Sequence, residues 1–306
     1  MLKSVVITGV NGFIGSSLAH RLVSMGVKVY GVDLESDKFS QFNSDENFIP
    51  VYADFTQYGT LAERIANDSI DAFFHLAWAG GFTSAIKDYK LQMQNASFAG
   101  DAVLAAKMIG AKRFVYAGTY NQYEIINFLT SEYFEPRFTC IYSAAKTAAS
   151  LICRTIAFNN GIEYSAGLIP MPYGKNNYSK QLMNIVFQKL MNGEVPSLVE
   201  GNNLYDVVYI DDIVDGLIAI ASKGKNMKEY YIGHRDLKTF KEIFSDIRDI
   251  IAPCVELRFG DYKDNQQIDY SMIDLNALYN DTGFECKADF KKTITETAKW
   301  VSENVK

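Results

Sequence analysis

A tyrosine and a lysine spaced four residues apart could together carry out proton transfer. Tyr142 and Lys146 occupy positions i and i+4, which share one face of a helix. A phenol is a poor base at neutral pH, but a nearby ammonium group stabilises the phenolate and lowers its pKa. Tyr142 could then move a proton on or off a sugar or alcohol oxygen. Taken alone, the pair is better interpreted as a surface lysine one turn from a tyrosine at the start of a helix. Whether the pair is catalytic is therefore decided by the motifs around it.

A glycine-rich turn near the N-terminus predicts a dinucleotide site. The apolar run over residues 4–8 leads into a G-x-x-G-x-x-G turn that opens a helix. Glycines let the backbone turn tightly and approach a pyrophosphate, whose charge is met by free N–H groups and the positive end of the helix. Its place between a strand and a helix favours this function over a simple turn. The predicted contacts are Gly9, Gly12, Phe13, Ile14 and Gly15.

The residue that ends the second predicted strand favours NAD over NADP. Asp33 can accept hydrogen bonds from the adenosine ribose hydroxyls and would repel a 2′-phosphate. No arginine follows it closely, and Lys38 is the one basic residue near it. A solvated aspartate at a strand end is the alternative. Further cofactor contacts are expected where the third and fourth strands end, at Asp54, Phe55, Leu76, Ala77 and Trp78.

The order of predicted elements indicates the fold. Short β-branched or aromatic runs alternate with helical patterns over residues 1–170, which predicts an α/β fold with a doubly wound parallel Rossmann sheet and a bound NAD. After residues 170–174 the pattern changes to helices with isolated short strands. We therefore expect residues 171–306 to form a smaller, mostly helical substrate-binding lobe, with the chain able to cross between lobes and the substrate in the cleft between them.

Composition narrows the classes of partner. The net charge is -6 and the isoelectric point is near 5.2, which argues against binding to nucleic acid or an anionic membrane surface. The N-terminal apolar run is too short for a signal peptide or a membrane span, so a cytoplasmic protein is expected. Four widely separated cysteines and three histidines suggest neither disulfides nor a metal site.

Several motifs occur in an order typical of one family. Over almost its whole length the chain resembles an extended short-chain dehydrogenase/reductase of the NAD-dependent sugar-nucleotide epimerase/dehydratase family. The motifs that carry the resemblance are TGVNGFIG, HLAWAG, YAGT, YSAAK and DVVYIDD, followed in the second lobe by GDYKDN and DTGF.

The resemblance implies roles for the matching residues. Thr119 would hydrogen-bond the reacting oxygen, and Tyr142 would be the acid/base. Lys146 would hold the nicotinamide ribose and lower the pKa of the tyrosine. Asn95 matches a helix asparagine that lies near the site in relatives, and is expected to contact the cofactor.

The resemblance also implies a homodimer. The long helix predicted over about residues 85–109 and the helix over about 142–158 resemble the pair that forms a four-helix interface in the family. Their apolar faces could equally belong to the core.

Two residues after the threonine bear on the reaction. Family dehydratases place Asp-Glu there, whereas this chain has Tyr120 and Asn121, neither of which exchanges a proton as a carboxyl does near pH 7. Dehydration is therefore disfavoured. The remaining reactions are epimerisation at C4 through a 4-keto sugar and reduction of a 4-keto sugar. Asp33 favours an epimerase, because epimerases recycle bound NAD while biosynthetic reductases mostly use NADPH.

The substrate contacts depart from the family pattern. Leu168, Met171 and Tyr205 stand where relatives often carry an arginine or an asparagine, so a diphosphate is a less certain anchor. Arg258 could still reach a nucleotide phosphate, as the matching arginine does in relatives. The expected substrate residues are Tyr120, Asn121, Tyr205 and Arg258.

Two other functions remain open from the sequence. One is an NAD-dependent reductase of a non-nucleotide carbonyl, which the departures above allow. The other is a non-catalytic dinucleotide-sensing regulator, although such regulators have usually lost the Tyr-Lys pair. Asp211 and Asp212 are expected to be a helix N-cap and its neighbour, with no catalytic role.

Overall fold

The computed structural model describes residues 2–65, 69–81, 84–131, 135–263 and 268–305. Asp264 and Asn265 of the GDYKDN motif lie outside these residues. The strands are β1 Ser4–Thr8, β2 Lys28–Asp33, β3 Phe48–Tyr52, β4 Ala72–His75, β5 Arg113–Thr119, β6 Glu163–Ile169, β7 Met171–Tyr173, β8 Ser197–Val199, β9 Leu204–Tyr205, β10 Val207–Tyr209, β11 Lys228–Tyr231, β12 Lys238–Thr239 and β13 Arg258–Tyr262. The helices are α1 Phe13–Ser24, α2 Leu61–Arg64, α3 Tyr89–Ile109, α4 Gln122–Thr130, α5 Thr139–Asn160, α6 Leu182–Met191, α7 Ile210–Lys223, α8 Phe240–Ile251, α9 Ala277–Thr282 and α10 Phe290–Asn304.

The first lobe is built on one parallel sheet of seven strands in the order β11-β6-β5-β4-β1-β2-β3. Its central strands β1 and β4 are buried along their whole length, as expected for apolar runs covered by helices on both faces. Helices α1 and α7 contribute to the core on one face, and α3 and α5 to the core on the other. The predicted doubly wound α/β fold is therefore confirmed.

Helices α3 and α5 pack closely against each other because their contact surfaces carry small residues. A Cβ at Gly100 would lie 3.0 Å from a methyl carbon of Ile152. Helix α3 begins later than the sequence suggested, since Asp88 caps it by accepting hydrogen bonds from Lys90 N and Leu91 N. Residues 84–87 before this cap form a separate 3₁₀ turn.

The second lobe has its own core between α6, α8 and α10, with small two-stranded sheets β10-β7, β12-β9 and β13-β8. Between β10 and β12 the chain returns to the first lobe. Helix α7 packs on β5 and β6, and β11 pairs with β6 at the edge of the large sheet. None of the helices in the described part of the chain is long and apolar enough to cross a membrane.

The prediction for Asp211 and Asp212 is wrong in one respect. Helix α7 is capped by Tyr209, and both aspartates lie inside its first turn. The carboxylate of Asp212 accepts hydrogen bonds from Lys287 N at 2.9 Å and Ala288 N at 3.1 Å. It therefore holds the segment at residues 287–288 against α7. Because these partners are far away in the sequence, the residues next to Asp212 do not reveal them.

Candidate active site

A cavity of about 320 Å³ lies at the carboxyl edge of the large sheet and extends to the second lobe. It lies at the edge where doubly wound sheets bind ligands. Most of the predicted site residues line it, namely Gly9, Gly12, Phe13, Ile14, Gly15, Leu76, Trp78, Thr119, Tyr120, Asn121, Tyr142 and Lys146.

The glycine turn has no space for side chains. Gly9 has a φ of +73°, and a Cβ on it would lie 2.7 Å from Ala77 N. A Cβ on Gly15 would lie 2.1 Å from the Gly9 carbonyl oxygen. The backbone between β1 and α1 is therefore as tight as a pyrophosphate cradle requires, with the N-terminus of α1 facing the cavity.

Asp33 lies beside this turn at the end of β2. Its Oδ2 accepts a hydrogen bond from Asn11 N at 2.9 Å, and its Oδ1 accepts one from Leu34 N at 2.8 Å. Each oxygen keeps a lone pair for a further donor. Asp33 is not among the described residues that line the cavity, so its contact with the adenosine ribose of NAD stays a prediction.

Asp54 and Phe55 have local structural partners. Asp54 caps the 3₁₀ turn over residues 55–60 by accepting from Thr56 N at 2.7 Å, and hydrogen bonds from Thr56 lower its pKa. The ring of Phe55 stacks on Phe98 at 5.0 Å between centroids. Neither is among the described residues that line the cavity, so their contact with the cofactor stays a prediction.

Asn95 supports the site from behind. It is buried in α3, where its Oδ1 accepts from Ala79 N and its Nδ2 donates to Ala79 O, both at 2.9 Å. Ala77 N donates weakly to Thr8 Oγ1 at 3.4 Å. Neither Asn95 nor Ala77 contributes to the described cavity wall. Asn95 therefore fixes the loop after β4, and a direct cofactor contact stays a prediction for both residues.

Thr119 and Tyr142 form the polar centre of the cavity. Their side chains are hydrogen-bonded to each other, and burial raises the pKa of Tyr142 above its ordinary value of 10. The threonine is fixed in turn because its backbone N–H donates to Gln122 Oε1 at 3.1 Å. Burial therefore favours the protonated phenol of Tyr142.

Lys146 lies on the same helix as Tyr142, and its predicted lowering of the tyrosine pKa stays a prediction. Its ammonium lies 6.0 Å from the centre of the Tyr142 ring and donates to Ala117 O at 2.9 Å. It also lies 3.9 Å from the centre of the Trp78 indole, a cation–π arrangement. Burial is the largest cause of the raised pKa of Tyr142, which sequence spacing cannot show.

Burial also lowers the pKa of Lys146 to about 7. Since the unfolded lysine titrates near 10.5, the unfolded chain binds more protons than the folded one between these two values. Stability contributed by this group therefore rises with pH across that window, by up to about 1.4 kcal/mol per pH unit. We expect Lys146→Met to remove this rise in unfolding free energies measured by denaturant titration at pH 6.5 to 9.5.

The exposed Lys299 offers a matched control, since Lys299→Met should keep the wild-type pH dependence. An unchanged pH dependence in Lys146→Met would contradict the buried, depressed lysine.

Sequence reasoning missed the residues that hold these groups in place. Gln92 is fully buried, accepts from Trp78 Nε1 at 2.8 Å, and donates to Gly80 O and Ala85 O. A signal existed, because Gln92 lies three residues before Asn95 on the same face of α3. The segment after β7 was also missed, since Asn177, Ser179 and Gln181 line the cavity.

The predicted substrate residues are spread over two places. Tyr120 lines the cavity and is hydrogen-bonded to the buried Tyr205 behind it. Tyr205 lines a second cavity of about 470 Å³ in the second lobe. Arg258 lies on β13 with 65% of its side chain exposed, 3.7 Å from Asp261, and is not among the described residues that line either cavity. Its contact with substrate stays a prediction.

Known proteins are similar to this chain. An uncharacterised protein of Sinorhizobium fredii is 27% identical over 249 residues, covering 79% of this chain and 59% of the relative. A trifunctional UDP-glucose 4,6-dehydratase, UDP-4-keto-6-deoxy-D-glucose 3,5-epimerase and UDP-4-keto-L-rhamnose-reductase of Arabidopsis thaliana is 22% identical, covering 99% of this chain and 48% of the relative. The chain thus spans only about half the length of these two relatives.

Among solved structures, a variant of UDP-glucuronic acid 4-epimerase from Bacillus cereus, in complex with a substrate analogue and NAD, has the same fold. It superposes with a TM-score of 0.80 at 17% identity, covering 98% of this chain and 99% of the other. The model of the NAD dependent epimerase/dehydratase family matches residues 5–233. Because that match extends over well more than half of the chain and includes the glycine turn, Thr119, Tyr142 and Lys146, the protein belongs to the NAD-dependent epimerase/dehydratase family.

Proposed function

We propose that the protein is an NAD-dependent 4-epimerase or 4-ketoreductase of a nucleotide-activated sugar, acting through a 4-keto sugar. One observation carries the choice of reaction. Among the described residues that line the reactive cavity there is no aspartate or glutamate, while Thr119, Tyr142 and Lys146 are all present. The cavity therefore offers hydride-and-proton chemistry without a carboxyl for the loss of water.

The family includes dehydratases, and the Arabidopsis relative is one, so the argument against dehydration rests on this chain's own residues. Tyr120 and Asn121 line the cavity where family dehydratases carry carboxyls. The carboxyl group of Glu124 is close in sequence, but it is fully buried and bonded to Arg137 and Ser143. It is therefore not free to exchange a proton with substrate.

The geometry suggests how the residues act. NAD supplies the acceptor and donor of a hydride when it is bound. In its protonated form Tyr142 can donate its proton to the oxygen of a 4-keto sugar, while Thr119 holds that oxygen by a hydrogen bond. Epimerisation and ketoreduction share this reducing step. In an epimerase the same tyrosine would act as the base in the preceding oxidation, taking the proton of the C4 hydroxyl while NAD takes the hydride. Asp33 favours NAD, and with it an epimerase that recycles its cofactor.

A single experiment separates the candidates. The purified protein is denatured and any released nucleotide is identified, and the native protein is then incubated with UDP- and dTDP-sugars without added cofactor. Epimer formation without NADH consumption supports the epimerase, and stoichiometric NADH consumption by a 4-keto sugar supports the reductase. Release of water to form a 4-keto-6-deoxy sugar would contradict the proposal. NAD binding without turnover of nucleotide sugars would favour the carbonyl reductase or the regulator.

We also propose that the protein is a homodimer through α3 and α5. Apolar side chains on these helices are exposed in one chain, among them Met108 at 53%, Leu151 at 60% and Phe158 at 72%. Leu151 and Phe158 are seven residues apart and so share a face of α5. Exposed patches of this kind mark interaction sites.

We expect Leu151→Glu/Phe158→Glu to be monomeric, because burying two carboxylates in an apolar interface is costly. Light scattering after size-exclusion chromatography measures the mass. Met25→Glu, at an exposed position at the end of α1 on the other side of the sheet, should leave the wild-type mass unchanged. A monomeric wild-type protein would end this proposal.

A further inference from the structure

Three cationic side chains line the second cavity. Arg137, Lys189 and Lys263 line it, and no aspartate or glutamate is among the described residues of its wall. The two cavities are neighbours, because Tyr120 in the wall of the first is hydrogen-bonded to Tyr205 in the wall of the second. An anionic group of a substrate could thus occupy the second cavity while the reacting carbon lies in the first.

Arg137 is held rigidly at this cavity. Its Nε donates to Glu124 Oε1 at 2.9 Å, and its Nη2 donates to the same oxygen. The Glu124 side chain is fully buried, and its Oε2 accepts from Ser143 Oγ at 3.3 Å. Glu124 lies in the first turn of α4, directly after the turn that carries Asn121. The guanidinium is therefore fixed relative to the reactive site.

The remaining nitrogen of this guanidinium is available. Nη1 of Arg137 has no hydrogen-bond partner among the described residues, and the side chain is 29% exposed. Arginine presents its donors in a planar fork that matches phosphate oxygens. Preorganisation by Glu124 means that little side-chain entropy is lost when an anion binds.

Two other cationic side chains, Lys189 and Lys263, line the cavity. Lys263 pairs with Glu135, and both side chains are more than two-thirds exposed, so their charges are screened by solvent. Position 205, where relatives often carry an arginine, is a buried tyrosine, and Arg258 does not line the cavity.

We propose that Arg137 binds the diphosphate of the nucleotide sugar in the second cavity, and that Glu124 is its positioning residue. This inference rests on the proposed function, since it assumes a nucleoside diphosphate substrate. Arg137, in the segment just before α5, would then contact the phosphates. In relatives an arginine often stands at the position of Tyr205.

Isothermal titration calorimetry with uridine, UMP and UDP, and with thymidine, dTMP and dTDP, tests the proposal. We expect the wild-type protein to bind one diphosphate much more tightly than its nucleoside. Arg137→Gln should bind that diphosphate about tenfold to hundredfold more weakly, with unchanged nucleoside affinity. Arg21→Gln is the matched control, because Arg21 is an exposed arginine paired with Asp215 away from both cavities; it should bind as wild type does.

A second variant guards against simple misfolding. Arg137→Gln leaves the buried Glu124 without its partner, which is destabilising. The double variant Glu124→Gln/Arg137→Gln removes both groups, and should melt at a higher temperature than Arg137→Gln while showing the same loss of diphosphate affinity. Glu124→Gln alone should reduce diphosphate affinity and spare nucleoside affinity, which a purely structural role would not do.

The outcomes distinguish the two proposals. Wild-type diphosphate affinity in both Arg137 variants would overturn the assignment to Arg137 and leave the nucleotide-sugar function standing. A wild-type protein that binds neither diphosphate more tightly than its nucleoside would overturn both.

Discussion

Tyr142→Phe should retain NAD and lose turnover by roughly two to four orders of magnitude. The change removes one oxygen, the hydroxyl that bonds Thr119 in the cavity, and leaves a ring of the same shape. The glycine turn and Asp33 are untouched, so the cofactor should bind as in the wild type. Steady-state turnover of the substrate found in the panel, together with NAD titration, measures both effects.

Tyr89→Phe is the matched control for the loss of a phenol oxygen. Tyr89 is 62% exposed at the start of α3, and its variant should turn over substrate at the wild-type rate. Near-wild-type turnover in Tyr142→Phe would mean that another group moves the proton.

Gly15→Ala should abolish dinucleotide binding and lower the free energy of unfolding by roughly 1–3 kcal/mol. The new Cβ would lie 2.1 Å from the Gly9 carbonyl oxygen, a distance that no atom pair tolerates without movement of the backbone. The turn would have to open, and the N–H groups that face the cavity would no longer converge on a pyrophosphate. Chemical denaturation and NAD titration measure the two losses.

Gly59→Ala adds the same methyl group at a position where a Cβ meets nothing within 4 Å. Its effect on stability should stay within about 0.5 kcal/mol, and NAD binding should not change. If Gly15→Ala bound NAD normally, the pyrophosphate site would have to be placed elsewhere.

Local motifs allowed much of the site to be predicted. The glycine turn, the strand-end Asp33 and the Tyr142-Lys146 spacing depend on neighbours in sequence, so their places at the sheet edge followed from the order of strands and helices. Thr119 was placed correctly near Tyr142 for the same reason, because it ends the strand before α5.

Effects of distant partners could not be predicted. The pKa of Lys146 falls because the assembled core removes water from it, which the spacing of Tyr142 and Lys146 does not show. Asp212 was predicted only as the neighbour of a helix N-cap, since its partners, Lys287 and Ala288, are 75 and 76 positions further along the chain. Arg137 gave no signal, since its partner Glu124 is buried by tertiary packing.

The return of the chain to the large sheet makes the two lobes one folding unit. A fragment ending at residue 170 would lack β11, and β6 would become an unpaired edge open to aggregation. It would also lack α7, leaving the apolar face of α1 and the sheet uncovered. A deletion or domain exchange in this protein must therefore keep residues 210–231 together with the first lobe. In the sequence these residues come after β7, the first strand of the second lobe.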